Sequence, residues 1–104
     1  MNAKDILKKA ATIQDERAEQ RDSPRGERTM GKAINAFNAI TGKGLAETDG
    51  WLLMCCLKMA RGQHGVFVAD DYDDLVGYAS LYGEAAYGEQ AEKLSKGATS
   101  GTNE

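Results

Sequence analysis

The sequence predicts an all-α protein that folds as a four-helix bundle-like domain. Apolar residues recur every three or four positions in four separate segments, and segments rich in glycine or proline lie between them. The chain has 104 residues, of which 41% are hydrophobic, enough for one core and too few for two. We therefore expect one helical domain over residues 1–96. The remaining segment 97–104, "GATSGTNE", is poor in apolar residues and is predicted to be a flexible, disordered tail.

The first helix is predicted from its start signal and its apolar face. Asn2 followed by Asp5 is the spacing of a capping box, in which each residue bonds the backbone of the other. This helix should end near Asp22, and its apolar face comprises Ile6, Ala10 and Ile13.

The second helix follows a turn that contains Pro24, the only proline of the chain. Proline lacks the backbone N–H that a helix interior needs, so the helix should restart after it, near Glu27. It should end at Thr41, where "TGKG" supplies glycines for the left-handed conformation that closes a helix. Its apolar residues are Met30, Ile34, Phe37 and Ile40.

The third segment, "ETDGWLLMCCLKMARG", is apolar nearly all round from Trp51 to Ala60. A helix that is apolar on every side is typical of a buried position, so this segment is predicted to be the buried central helix. Cys55 and Cys56 lie inside it and are interpreted as reduced core residues.

The fourth helix begins at "DDYDDLVGYA" and is predicted to reach Gly88, with a further helical turn through Leu94. Gly77 and Gly83 lie in its interior. Because glycine weakens a helix, the pair indicates a close backbone approach, a bend or a functional constraint.

Charge is distributed unevenly along the chain. Residues 1–69 carry 11 basic and 8 acidic residues, whereas residues 70–104 carry 2 and 8. This balance makes direct nucleic-acid binding unlikely and suits a cation or a basic protein partner. The longest apolar stretch has seven residues, far below the ~20 that span a bilayer, so we expect no membrane segment and a cytoplasmic protein.

The aspartates at the start of the fourth helix have two interpretations. Asp70 or Asp71 can cap the helix, leaving a solvated acidic face, because carboxylates are favoured at helix N-termini. Alternatively Asp70, Asp71 and Asp74 can hold Mg²⁺, which prefers oxygen ligands. The sequence leaves both interpretations open.

Lys58 and Arg61 are the charged pair of the apolar third helix. They can bind the phosphates of a nucleotide, or they can pair with acids of the fourth helix, as charges on a buried helix usually need a partner. We favour the pairing, with Asp74 as the acid that meets Lys58 or Arg61.

Four stretches, "GERTM", "AFNAITG", "DGWLLMCCLKMAR" and "DDYDDLVGYASLYGEA", span roughly residues 26–86. They resemble small phage and prophage proteins, mostly of unassigned function, which look distantly like the MazG-type all-α nucleotide pyrophosphohydrolases. The resemblance implies a MazG-like helical fold and Mg²⁺ held by an E-x-x-E pair on one helix and an E-x-x-D pair on the next. Asp71 and Asp74 match the second pair.

The chain departs from that pattern at the first acidic pair. Where that pair is expected the chain has "WLLMCCLKMAR", with Lys58-x-x-Arg61 as its only charges, a departure that argues against catalysis. Glu47, Asp49 or Glu27 could supply a replacement carboxylate. If the protein is an enzyme, the resemblance implies a nucleoside triphosphate pyrophosphohydrolase.

Two functions from different classes remain. In the first, a nucleotide is bound through Mg²⁺ and the basic pair. In the second, the acidic surface that includes Asp70, Asp73 and Glu84 binds a host protein, for example by blocking a nucleic-acid-binding groove as an anti-defence protein does. The apolar excess of helices three and four predicts a homodimer in either case.

Overall fold

The computed structural model describes residues 1–21 and 29–100, and within these ranges every regular element is a helix. The four helices are α1 (Ala3–Arg21), α2 (Thr29–Thr41), α3 (Glu47–Arg61) and α4 (Ala69–Ser100). The all-α fold with four helices is thus confirmed. The predicted start of the second helix at Glu27 lies outside the described residues.

The start of α1 is the capping box that the sequence predicts. The backbone N–H of Asn2 donates to Asp5 Oδ2 at 2.9 Å, and the N–H of Asp5 donates to Asn2 Oδ1 at 2.9 Å. Two of the N–H groups that a helix start leaves unpaired are therefore satisfied by local side chains.

The turn between α2 and α3 is held by one asparagine. Asn38 donates from Nδ2 to the carbonyl of Leu45 and accepts the N–H of Leu45 on Oδ1, both at 2.9 Å. Gly42 adopts φ 77°, which glycine reaches without steric cost, and closes α2 as predicted. The short turn places α3 directly beside α2.

α3 and α4 are the two inner helices of the fold, and α3 is buried on one side only, which corrects the prediction that it is buried all round. α4 packs against both α1 and α3, and α2 packs against α3, whereas α1 and α2 do not contact each other in the described ranges. Only one side of α3 is buried, at Gly50, Trp51, Cys55 and Lys58. Its other side leaves four large apolar residues exposed, Leu52, Leu53, Leu57 and Met59.

The two cysteines are separated by the geometry of α3. Adjacent helical residues project about 100° apart, so Cys55 is buried while Cys56 is exposed. Both thiols are free, but the expectation of a core position holds for Cys55 alone. Burial raises the pKa of the Cys55 thiol, with a smaller contribution from Cys56.

α4 differs from its prediction at both ends. It begins at Ala69, so Asp70 and Asp71 lie inside its first turn and neither occupies the cap position before it. At the other end the helix continues to Ser100, past Leu94 and into the segment predicted as a tail; residues 101–104 lie outside the described residues. Within the predicted part of the helix, Glu89 accepts hydrogen bonds from the N–H and the hydroxyl of Thr48, at 3.3 and 3.2 Å.

The glycine at a close helix approach is Gly50 on α3. A Cβ at this position would overlap the sulfur of Met30 on α2 and lie 3.1 Å from the Ile34 side chain. The two glycines that the sequence indicated are less restricted: a Cβ at Gly77 meets only Gln14 Nε2 at 3.8 Å, and one at Gly83 meets nothing within 4 Å. None of the described helices is both long enough and apolar enough to cross a membrane.

Opposite effects are expected for alanine at two of these glycines. Gly83→Ala should raise the free energy of unfolding by about 0.5–1 kcal/mol, because it improves helix propensity without a new contact. Gly50→Ala should lower it by about 0.5–2 kcal/mol, because the methyl group overpacks the α2–α3 contact by more than the gain in helix propensity. Urea unfolding followed by far-UV circular dichroism measures both. Equal effects of the two substitutions would contradict the close approach at Gly50.

Candidate functional site

An ion pair between α3 and α4 occupies the position where the sequence left a choice between a metal and a basic side chain. Lys58 Nζ lies 3.0 Å from Asp74 Oδ2, and the lysine side chain is only 9% exposed. The prediction that Asp74 pairs with Lys58 or Arg61 is confirmed, with Lys58 as the partner. The two residues face each other because α3 and α4 run antiparallel, as the Trp51–Tyr78 ring contact also shows.

Arg17 of α1 adds a second cation to Asp74, and the sequence prediction missed it. Its Nη2 lies 3.6 Å from Asp74 Oδ1, and its side chain is 42% exposed. The sequence contained a signal for this contact, since Arg17 continues the helical spacing of the apolar residues Ala10 and Ile13. A charged residue on an apolar stripe needs a partner elsewhere in the fold.

The aspartates proposed as Mg²⁺ ligands do not gather into one site. Asp70 is exposed, Asp71 is buried, and both oxygens of Asp74 already face cations. Within residues 1–21 and 29–100, no group of three His, Cys, Asp or Glu side chains is placed to hold a metal ion. The three residues therefore do not fit Mg²⁺ in this arrangement.

The carboxylates that could replace the missing acidic pair are engaged locally. Glu47 Oε2 accepts a hydrogen bond from the indole N–H of Trp51 at 3.0 Å, and Asp49 Oδ2 accepts the N–H of Ala46 at 2.8 Å. Glu27 lies outside the described residues. Both described carboxylates thus shape the start of α3.

The two basic residues proposed to bind phosphate, Lys58 and Arg61, differ in solvent exposure. Lys58 is buried against Asp74, whereas Arg61 is exposed one turn later, near the end of α3. Lys58 would reach a phosphate only by leaving its carboxylate, while Arg61 meets solvent directly.

A cavity of about 350 Å³ lies among the four helices, and the sequence prediction had no means of locating it. Its walls combine apolar and aromatic side chains, including Met30, Trp51, Met54, Tyr78 and Leu81. The rings of Trp51 and Tyr78 are 5.9 Å apart at an interplanar angle of 33°. The walls also carry charged side chains, among them Asp15, Arg17, Asp73, Asp74 and Glu84. The volume lies within the roughly 300–1,000 Å³ of small-molecule sites.

Gln14 ties α1 to α4 along this cavity. Its side-chain Nε2 donates to the carbonyl of Gly77 at 3.3 Å and to the hydroxyl of Ser80 at 2.7 Å. Gln14, Arg17 and Gly77 all line the cavity. The polar contacts that join α1 to α4 are therefore also part of the cavity wall.

Asp73 is the unusual polar residue of the cavity. It lines the space, is only 3% exposed, and its Oδ1 is buried without a hydrogen-bond partner in the part of the chain that the structure describes. Buried polar atoms are nearly always bonded, so this oxygen is suited to accept a hydrogen bond from a bound molecule. The sequence placed Asp73 with Asp70 and Glu84 on a protein-binding surface; Asp70 and Glu84 are exposed, but Asp73 is out of reach of an external partner.

Removing the carboxylate of Asp74 should destabilise the fold. Asp74→Leu leaves the buried ammonium of Lys58 unpaired and should cost about 3–5 kcal/mol in the free energy of unfolding. The double variant Lys58→Met/Asp74→Leu should recover most of that loss, since no charge is then stranded. Urea unfolding measures each variant.

Arg61→Met is the matched control, because it removes an exposed charge from the same helix and should change stability by less than about 0.5 kcal/mol. If Asp74→Leu costs no more than this control, the ion pair does not stabilise the fold.

Comparison with known proteins identifies the family. No curated protein and no solved structure matches the chain. One family model, described as "Domain of unknown function (DUF6378)", matches residues 5–86. That range contains the ion pair and every residue that lines the cavity. The chain belongs to the DUF6378 family.

Proposed function

We propose that this protein binds a nucleotide and holds its base in the interhelical cavity. The observation that carries the proposal is the combination of apolar and aromatic walls with an unsatisfied buried carboxylate, Asp73. Flat heteroaromatic rings suit such walls, because they bury a large area and still offer polar edges for hydrogen bonding.

The phosphates of the ligand would remain outside the apolar part of the cavity. Arg17 lines the cavity and is 42% exposed, so it offers a cation that a phosphate can reach from solvent. Arg61 is an exposed second candidate. Lys58 supports the site through Asp74 and joins the ligand only if that ion pair opens.

The same proposal includes a MazG-like form of the helical fold, a phage or prophage origin and action in the host cytoplasm. They are supported by the motifs quoted above, in particular Asp71-x-x-Asp74 after a helix with Lys58-x-x-Arg61. Because the acidic pair of the third helix is absent and Asp74 is held by cations, we propose binding and no hydrolysis step.

Isothermal titration calorimetry with nucleosides and nucleotides tests the proposal. We expect saturable binding of at least one purine or pyrimidine nucleotide, with an affinity that changes little when Mg²⁺ is added, since the described aspartates do not form a Mg²⁺ site. Binding that strictly requires Mg²⁺ would restore the metal-dependent scheme implied by the resemblance.

A pair of glycine variants locates the site. Gly77→Leu adds a side chain to the cavity wall beside Gln14 and should weaken binding at least about tenfold by steric exclusion. Gly83→Leu makes the same change on the same helix, where a Cβ meets nothing within 4 Å, and should leave binding unchanged. Equal affinities of the two variants would place the ligand elsewhere.

We also propose that the protein is a homodimer that pairs through the exposed apolar side of α3. Leu53 is 68% exposed there, with Leu52, Leu57 and Met59 beside it. Clusters of exposed apolar side chains mark protein–protein contacts. An apolar patch of this kind on each copy suits a two-fold contact, in which the same surface of both copies meets.

Size-exclusion chromatography with light scattering should give twice the chain mass of 11.2 kDa. Leu53→Glu should produce the monomer, because it places a charge in the centre of the apolar patch. Val66→Glu, at an equally exposed position in the loop before α4, should remain dimeric. A wild-type monomer at all concentrations would remove the proposal.

A second function is supported by the ion pair between Lys58 and Asp74. Because Lys58 is paired, only one of the two basic residues expected to bind phosphate is available. In this alternative, the acidic side of α4 around Asp70 binds a basic host protein, such as one with a nucleic-acid-binding groove, and inhibits it. Loss of capture from a host lysate after Asp70→Lys, with no nucleotide binding in calorimetry, would favour it.

A further inference from the structure

Four carboxylates line the cavity, and one of them is buried with an unpaired oxygen. Asp74 is neutralised by Lys58 and Arg17. Asp15 and Glu84 are exposed, so water screens their charges. Asp73 is buried, and its Oδ1 has no hydrogen-bond partner among residues 1–21 and 29–100.

An ionised carboxylate can only accept hydrogen bonds, so its complement is a group that only donates. Two parallel N–H donors match its two oxygens, and such paired charge-assisted bonds are shorter and stronger than neutral ones. The ligand should therefore present two adjacent N–H groups to Asp73.

Among the nucleobases, guanine presents this edge. Its N1–H and its 2-amino group are neighbouring donors, whereas adenine and cytosine place a donor beside an acceptor, and uracil flanks one donor with two acceptors. An acceptor facing a buried carboxylate is repelled and leaves both groups unpaired. Proteins that bind single bases read this edge by hydrogen bonds and pack the ring against aromatic side chains.

We propose that Asp73 makes the cavity selective for guanine by accepting N1–H and the 2-amino group, while the ring packs against Trp51 and Tyr78. This inference rests on the proposed nucleotide-binding function and names its base. The rings of Trp51 and Tyr78 are only 5.9 Å apart, so the base lies against them and not between them.

Calorimetry with guanosine, inosine and adenosine tests the selectivity without phosphate or Mg²⁺. Inosine keeps N1–H and lacks the 2-amino group, so it should bind about ten- to hundredfold more weakly than guanosine, the value of one hydrogen bond to a charged group. Adenosine should bind more weakly still, because its N1 is an acceptor.

The variant Asp73→Asn should invert the preference. Its amide offers one acceptor and one donor, which matches adenine, so guanosine should lose at least about tenfold and adenosine should become the tighter ligand. Asp70→Asn removes the same charge from the exposed part of the first turn and should leave all three affinities unchanged. Thermal melting confirms that each variant folds, and the wild-type comparison of three nucleosides stands without any variant.

The outcomes separate this inference from the proposed function. Equal binding of guanosine, inosine and adenosine by the wild-type protein would overturn guanine selectivity and leave nucleotide binding intact. Tighter binding of agmatine, a guanidinium cation without a ring, than of guanosine would show that Asp73 selects cations and would also overturn it. If no nucleoside or nucleotide binds, the proposed function itself fails.

Discussion

The buried ion pair between Lys58 and Asp74 is the interaction on which the arrangement of the helices depends. A lysine that is only 9% exposed is costly to bury alone, so α3 can pack against α4 only in the register that places Asp74 opposite its ammonium group. The same carboxylate meets Arg17 of α1, and Gln14 adds hydrogen bonds between α1 and α4. One side chain of α4 therefore contacts both helices that pack against it.

Further contacts along α4 agree with this register. Tyr78, four residues after Asp74, meets Trp51, and Glu89 reaches Thr48 at the start of α3. Because Gly50 has no side chain, α2 approaches α3 closely at this residue. With α1 held on α4 and α2 held on α3, the outer helices stay apart, and the cavity is the space that this arrangement encloses.

The neighbouring aspartates acquire different roles from the helical rotation of about 100° per residue. Asp74 turns toward the cations of α1 and α3, Asp73 lines the cavity, and Asp70 meets solvent. Lys58 stands where the resemblance would place an acid. A cation at this position neutralises Asp74 and supports our proposal that the ligand is recognised by Asp73 without a metal ion.

The sequence by itself determined the four helices and the capping box at Asn2, and it favoured Lys58 or Arg61 as the partner of Asp74. These features depend on local spacing, or on the rule that a charge on an apolar helix needs a partner. Tertiary structure decided that α3 and α4 are the inner helices, that one side of α3 leaves large apolar residues exposed, and that Gly50 is the close-approach glycine. It also brought Arg17 to Asp74 and left Asp73 Oδ1 buried without a partner in the described ranges. Periodicity shows which residues share a face of a helix, but which faces meet, and how far apart, depends on packing between segments distant in the chain.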